Sequence, residues 1–348
     1  MLSIPLLAAC GGSQASTGGT SSASKGPFTI GVSNGFVNSE WRTQMIQDLQ
    51  DANAQYEKQG LTKNLIVENA DVDAQGQIQQ IRNLINRGVN AIIVDPNSQT
   101  ALNSVIQQAK SAGIIVIAVD QEVTSPAATN VVINQADWAT MSAEWLAKQL
   151  NGKGNIVAVN GTAGAPANDM RWNAAKAVFS KYPNIKILNN INANWDQATG
   201  QQMMASELAS QPNIDAIWSQ DGMAQGVLRA VMAANPSKFL IMTGEARTKY
   251  LQLWQQAKQA HPNFTSYGVI NPPGSAVSGL RIALQMLQGK TLKSGELKGS
   301  ANNTIYVPIP GFVDQSNFTQ QYDQYKSKSA EYSLDGSISD SDAQSLFN

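Results

Sequence analysis

Brief apolar runs alternate with longer amphipathic ones along most of the chain. Residues 28–33, 64–68, 91–94 and 114–119 predict strands, and residues 39–59, 75–87 and 99–112 between them predict helices. Gly60, Gly88 and Gly113 each fall just past a predicted helix, where a left-handed C-terminal cap is needed. The rhythm restarts after a Lys-Gly-Asn turn, with strands at 155–159, 185–188, 216–219 and 239–243 and helices at 171–181, 197–210 and 223–233. Strands this short and apolar on both faces belong in a parallel sheet covered by helices on both sides. The expectation is an α/β fold of two doubly wound parallel-sheet lobes, with ligand sites beyond the carboxyl ends of the strands.

Composition narrows the function. At about 150 residues per domain, 348 residues accommodate two domains. Charged residues are only 14%, and 24 Lys+Arg against 25 Asp+Glu leave a net charge of −1, so no clustered cationic surface is available to neutralise phosphates and nucleic acid is excluded as a partner. One cysteine permits no internal disulfide, and one histidine leaves little room for histidine-based metal or acid–base chemistry. No metal site and no cofactor are expected.

The opening residues, an apolar stretch ending in Leu7-Ala8-Ala9-Cys10, resemble the lipobox of bacterial lipoproteins, and a Gly/Ser/Thr-rich tether follows to Lys25. That resemblance implies lipidation of Cys10 and an extracytoplasmic protein held to a membrane face or in the periplasm. The apolar run at 114–119 is too short to span a bilayer.

Polar and aromatic residues gather just past the predicted strands. Asn34, Phe36, Glu40, Trp41 and Arg42 follow the first, and Asp120 and Gln121 the fourth. Asn168 and Arg171 follow the first strand of the second lobe, Trp195 its second, Gln220 its third, Glu245 its fourth and Asn271 its last. Planar polar side chains pair with hydroxyls that both donate and accept, and aromatic faces cover the C–H faces of a sugar ring.

From Phe28 to about Val313 these residues resemble the type I periplasmic sugar-binding proteins that feed ABC transporters, the ribose- and galactofuranose-binding group in particular. The likeness is carried by Trp41-Arg42, the Ala-Val-Asp120 strand end, residues 160–164 with Arg171, Asn194-Trp195-Asp196, Gln220-Asp221-Gly222 and the Asn271-Pro272-Pro273 region. It implies a tether at 1–26, an N-terminal lobe of 27–134 plus 272–306, a C-terminal lobe of 135–271 plus 307–330 and a tail at 331–348. It further implies a hinge of three crossings, near Asn134-Gln135, Asn271-Pro272-Pro273 and residues 306–310. Asp120 and Arg171 match positions that hydrogen-bond sugar hydroxyls from opposite lobes, Trp195 a stacking aromatic, Gln220 a carboxamide and Asn271 a hinge-side amide. Trp41 and Arg42 match the furanose-binding subgroup. Gln121 stands where the ribose pattern has Arg, and Glu245 substitutes for an Asp, which argues against ribose as the ligand. The implied function is a monomeric solute-binding protein that closes on a sugar or polyol and docks on an ABC permease, with a ligand-sensing co-receptor as the alternative.

Other motifs carry less. Gly31-Val32-Ser33-Asn34-Gly35 fits a nucleophile elbow, but residues 36–39 predict a loop where a helix must start, and the base would have to be His261, far along the chain. No enzyme is expected. His261 reads as an exposed helix-end residue, and Asp71/Asp73 and Asp340/Asp342 lack the Gly and Glu of a calcium loop. No helix-turn-helix precedes Phe28, which excludes a related repressor. Residues 314–348 outlast the pattern and either pack across a lobe or form a short extra helix.

Overall fold

The computed structural model describes residues 26–37 and 39–348; Cys10 and the tether lie outside the described residues. The chain runs β1 (Ile30–Asn34), α1 (Glu40–Lys58), β2 (Ile66–Asn69), α2 (Ala74–Asn86), β3 (Ala91–Asp95), α3 (Asn103–Ser111), β4 (Ile115–Val119) and β5 (Thr129–Val132), then crosses into α4 (Gln135–Gln149). It continues through β6 (Lys153–Asn160), α5 (Pro166–Phe179), β7 (Asn184–Asn192), α6 (Gln197–Ser210), β8 (Ala216–Ser219), α7 (Ala224–Ala234), β9 (Ile241–Thr243), α8 (Thr248–Ala260) and β10 (Ser266–Val269). It then crosses back into α9 (Ser275–Leu287) and β11 (Thr304–Tyr306), and out again to β12 (Phe312–Val313), α10 (Phe318–Tyr325) and α11 (Asp340–Ser345).

Two six-stranded sheets result, ordered β11-β5-β4-β3-β1-β2 and β12-β10-β9-β8-β6-β7. All pairings are parallel except that of β12 with β10. Strand alternation explains why both faces are apolar. In the first sheet Ala91, Ile93, Ile117 and Val119 pack toward α1 and α9, while Ile92, Val94, Val116 and Ala118 pack toward α2 and α3. In the second, Ile156 and Ala158 join α4 and α5, and Val157 and Val159 join α6, α7 and α8. Helix starts follow local chemistry: Ser39, Asp73, Asn134 and Asp196 each accept a backbone N–H of the helix they precede.

The two-lobed α/β expectation is met, and several boundaries move. Helix α5 begins at Pro166 rather than residue 171, because Pro there presets φ for the first turn and lacks the N–H that would go unpaired. Helices α4 and α8 and strand β5 were not anticipated. Their apolar positions are spaced by Ala, Gln and Asn, which blurs the period that burial later resolves.

The C-terminal segment both forms helices and packs across the lobes. Helix α10 sets Phe318 on Trp254 of α8, with ring centroids 4.6 Å apart. The chain then passes along the second lobe, where Leu334 N–H donates to Ala246 O (2.9 Å), and crosses to the first, where α11 packs on α9 and Asn348 N–H donates to Thr291 O (2.9 Å). At this fourth crossing Asp335 accepts from Gly274 N–H (2.6 Å), and Gly336 lies against Pro310. The crossing is thus part of the hinge.

Two outcomes test this packing. Helices α6 and α7 approach so closely that a Cβ on Gly226 would sit 1.8 Å from Gln197 O, a backbone atom. Gly226→Ala should therefore cost about 3 kcal/mol in urea unfolding, the upper end for overpacking. At the tail, burial and the neighbouring carboxylate of Asp335 push Asp48 up to about 6. A carboxyl raised on folding confers stability at low pH that is lost as pH rises through the folded-state value. The wild-type melting temperature should fall between about pH 4 and 6, and by less in Asp48→Asn.

Candidate ligand-binding site

A cleft of about 690 Å³, mouth included, lies between the carboxyl ends of the two sheets. Its N-lobe wall is built by the loop and first turn after β1, which bring Phe36, Glu40, Trp41 and Arg42 to the surface of the cleft, and by Asp120 after β4. Its C-lobe wall carries Arg171 from α5, Trp195 after β7, Asp221 after β8, and Glu245 and Arg247 after β9; Asn271 closes the hinge side.

Each charge in this wall is held by a partner. Arg42 donates to Asn34 Oδ1 (2.9 Å) and pairs with Asp95 (3.0 Å), and its guanidinium lies over the Phe36 ring. Arg171, 1% exposed, donates through Nε to Gln135 Oε1 and through Nη1 to Asp221 Oδ1, both at 2.7 Å, and lies 4.1 Å from the Trp138 ring centroid. Two of its five N–H groups are used in these bonds. Asp120 adopts the left-handed conformation at φ 61°, a strained choice for Asp that turns the chain at the strand end; Asn271 hydrogen-bonds its carboxylate.

The indoles are fixed by contacts that sequence spacing does not reveal. Trp195 is also left-handed (φ 53°), and its ring lies directly on Gly161, where a Cβ would come within 2.1 Å of it. Its Nε1 donates to Gln220 Oε1 (3.2 Å), and Gln220 in turn donates to Asn160 and Asn168 (3.1 and 3.0 Å). Trp41 donates to Asn271 O at the hinge (2.8 Å).

Of the residues singled out from sequence, Phe36, Glu40, Trp41, Arg42, Asp120, Arg171, Trp195, Glu245 and Asn271 share this one cleft. Asn34, Gln121, Asn168 and Gln220 sit behind it, because their amides are consumed by other side chains and backbone: Gln121, for example, accepts from Ala167 N–H across the lobes (3.4 Å). Glu245 lines the wall, yet its oxygens already accept from Gly222 N–H (2.7 Å), Gln225 N–H (3.2 Å) and Gln197 Nε2 (3.0 Å) at the start of α7, where negative charge is favoured. Asp221, Arg247 and Ser333 were missed. Asp221 carried the strand-end signal; Ser333 arrives from the tail, and nothing local announces it.

Burial, opposed by Arg42 and reinforced by Asp120, pushes Asp95 up to about 8, and burial also raises Asp120. Arg42 faces both carboxyls and Arg171 also faces Asp120, but burial outweighs these cations, so the pair retains a proton above the usual carboxylate range. Elsewhere, Ser33 of the elbow-like motif is buried and donates to Gln80 Oε1 (2.8 Å), while His261 stacks on Phe239 at 4.0 Å. His261 is therefore partly covered rather than free at the helix end.

The model of the periplasmic binding protein domain matches residues 30–291. The chain belongs to the periplasmic binding protein family. Among periplasmic binding proteins, the xylitol-binding protein of Mycolicibacterium smegmatis is 35% identical over 173 residues, 49% of this chain and 50% of that one. The galactofuranose-binding protein of Escherichia coli is 30% identical over 237 residues, 65% and 72% of the two chains. The match thus spans about half the length of the xylitol-binding relative and more of the galactofuranose-binding one. A crystal structure of an ABC transporter solute binding protein from Thermobispora bispora superposes with a TM-score of 0.79 at 26% identity, over 91% of this chain and 94% of that one. No helix among the described residues is long and apolar enough to cross a membrane.

The charge arrangement predicts a pH-dependent variant. Arg42→Met leaves Asp95 and Asp120 without their shared cation, which should cost about 3 kcal/mol or more at pH 8 in denaturant unfolding. At pH 5, where Asp95 is protonated, the loss should be smaller. In the wild type, the raised folded-state value of Asp95 means that stability falls as pH climbs from 5 toward 8.

Proposed function

We propose that this chain is the solute-binding component of an ABC importer and takes an uncharged monosaccharide or polyol between its lobes. The observation that carries the reading is a cleft whose guanidinium and carboxylate groups are paired internally, with indole faces beside them. Such a wall offers hydroxyls oriented donors and acceptors without demanding a charge from the ligand. The names of the relatives support it, since xylitol is a polyol and galactofuranose a neutral sugar.

Contacts from both lobes favour the closed form over the open one, and only that difference drives closure. Asp120 accepts from sugar hydroxyls on one side while Arg171 donates on the other, Trp195 and Trp41 cover C–H faces, and Asn271 senses the ligand at the hinge. Five or six hydrogen bonds at about 1 to 2 kcal/mol each, with stacking and less the ordering costs, give about −8 kcal/mol, or micromolar binding. A role in binding rather than catalysis is supported by the relatives, which are binding proteins, and by Ser33, which is buried and donates to Gln80. We place it outside the cytoplasm as a monomer tethered through lipid on Cys10, where the closed form docks on a permease.

A thermal-shift screen of monosaccharides and polyols, xylitol included, should identify a ligand that raises the melting temperature. With that ligand, Asp120→Ala and Arg171→Ala should each weaken binding at least tenfold by calorimetry. Unaltered affinity in both variants overturns the assignment of the cleft.

A further inference from the structure

The loop after β9 holds a guanidinium that the cleft described so far does not need. Arg247 is 4% exposed in its side chain and faces three carboxylates from three parts of the chain. Glu245 lies on its own loop (3.6 Å to Nε), Glu331 on the C-terminal segment (3.2 Å to Nη1), and Glu40 in the first turn of α1, on the opposite lobe (3.3 Å to Nη1).

We propose that Arg247 is a positioning residue for lobe closure: it binds Glu40 across the cleft mouth, and the C-terminal segment holds it there. The proposal rests on the reading that ligand is held between the lobes.

The C-lobe end of this contact is rigid. Glu245 is committed to the backbone at the start of α7, and Glu331 also accepts from Gln225 Nε2 (3.4 Å), so neither carboxylate is free to follow the guanidinium elsewhere. The C-terminal segment runs beside the loop as a strand does. Thr248 N–H donates to Tyr332 O and Leu334 N–H to Ala246 O, both at 2.9 Å, and Arg247 and Ser333 form an antiparallel bridge.

The N-lobe end is a single helical stripe. Gln44 follows Glu40 by one turn of α1, and it exchanges two hydrogen bonds with Ser333: Ser333 N–H to Gln44 Oε1 (2.8 Å) and Gln44 Nε2 to Ser333 O (3.1 Å). The second lobe and its tail therefore grip α1 at successive turns, through an ion pair at Glu40 and a paired amide at Gln44. When the lobes part, Arg247 keeps Glu245 and Glu331 and gives up only Glu40. Because Glu40 is 53% exposed in its side chain, water and salt screen the pair. The contact biases closure without locking it, as a protein that must release its ligand requires.

The test reads lobe separation without ligand. Spin labels at Lys110→Cys on α3 and Gln202→Cys on α6, in a Cys10→Ser background, report the distance between lobes by pulsed electron resonance. In low salt, Glu40→Gln should lower the ratio of short-distance to long-distance populations by about two- to fivefold, the range expected of one screened ion pair. Arg247→Lys, which retains the charge, should keep the wild-type response to 0.5 M NaCl, where the Debye length is about fivefold shorter than at 0.02 M. Arg247→Met and Glu40→Gln should lose that response. Identical distance distributions in wild type and Glu40→Gln, or a ligand-free protein with no short-distance population, overturn the proposal. Failure of every sugar and polyol to shift the wild-type distances overturns the binding reading instead, since the Arg247 contact is measured in the absence of ligand.

Discussion

One line of hydrogen bonds carries the geometry of one lobe into the other. Gln135, the first residue of α4 after the chain leaves β5, donates to Asp120 O (3.2 Å) and accepts from Arg171 Nε (2.7 Å), and Arg171 reaches on to Asp221 (2.7 Å). A residue of the hinge thus ties the backbone at the strand end of one sheet to the buried guanidinium of the other lobe. Every member is buried or lines the cleft, so breaking the line would leave polar groups without water or partner, at about 1–3 kcal/mol each. The rest of the site is arranged around that link.

Pairing charges internally has a consequence for the ligand. Arg42 and Arg171 are each neutralised by an aspartate, and Glu245 is occupied by backbone N–H groups, so a charged ligand would have to displace an existing partner. A hydroxyl has no such cost, because it adds to donors and acceptors that remain open. The surplus carboxyl at Asp95 and Asp120 is tolerated by retaining a proton, which couples the electrostatics of the cleft to pH.

The C-terminal segment changes the mechanical picture of the hinge. Residues near Pro272 and Pro310 have restricted φ, and the added crossing at Leu334–Asp335–Gly336 lies against both Gly274 and Pro310. The same segment brings Ser333 to the cleft and Glu331 to Arg247, so hinge and site share one stretch of chain.

Sequence alone determined the layered fold. Apolar runs of four to six residues alternating with amphipathic stretches fix two helix-covered parallel sheets, because each strand must bury both faces and each helix one. The strand-end rule then located Asp120, Arg171 and Trp195, since parallel strands bring their carboxyl ends to one edge whatever lies between them. Tertiary structure decided the rest. Whether Gln220 and Asn168 meet ligand or brace Trp195, whether Glu245 faces the cleft or caps a helix, and which side chains Arg247 joins are set by contacts between residues 20 to 207 positions apart. Local pattern encodes which face of an element is buried; it carries no record of the partner that arrives from another lobe, and the direction of a polar side chain is set only by that partner.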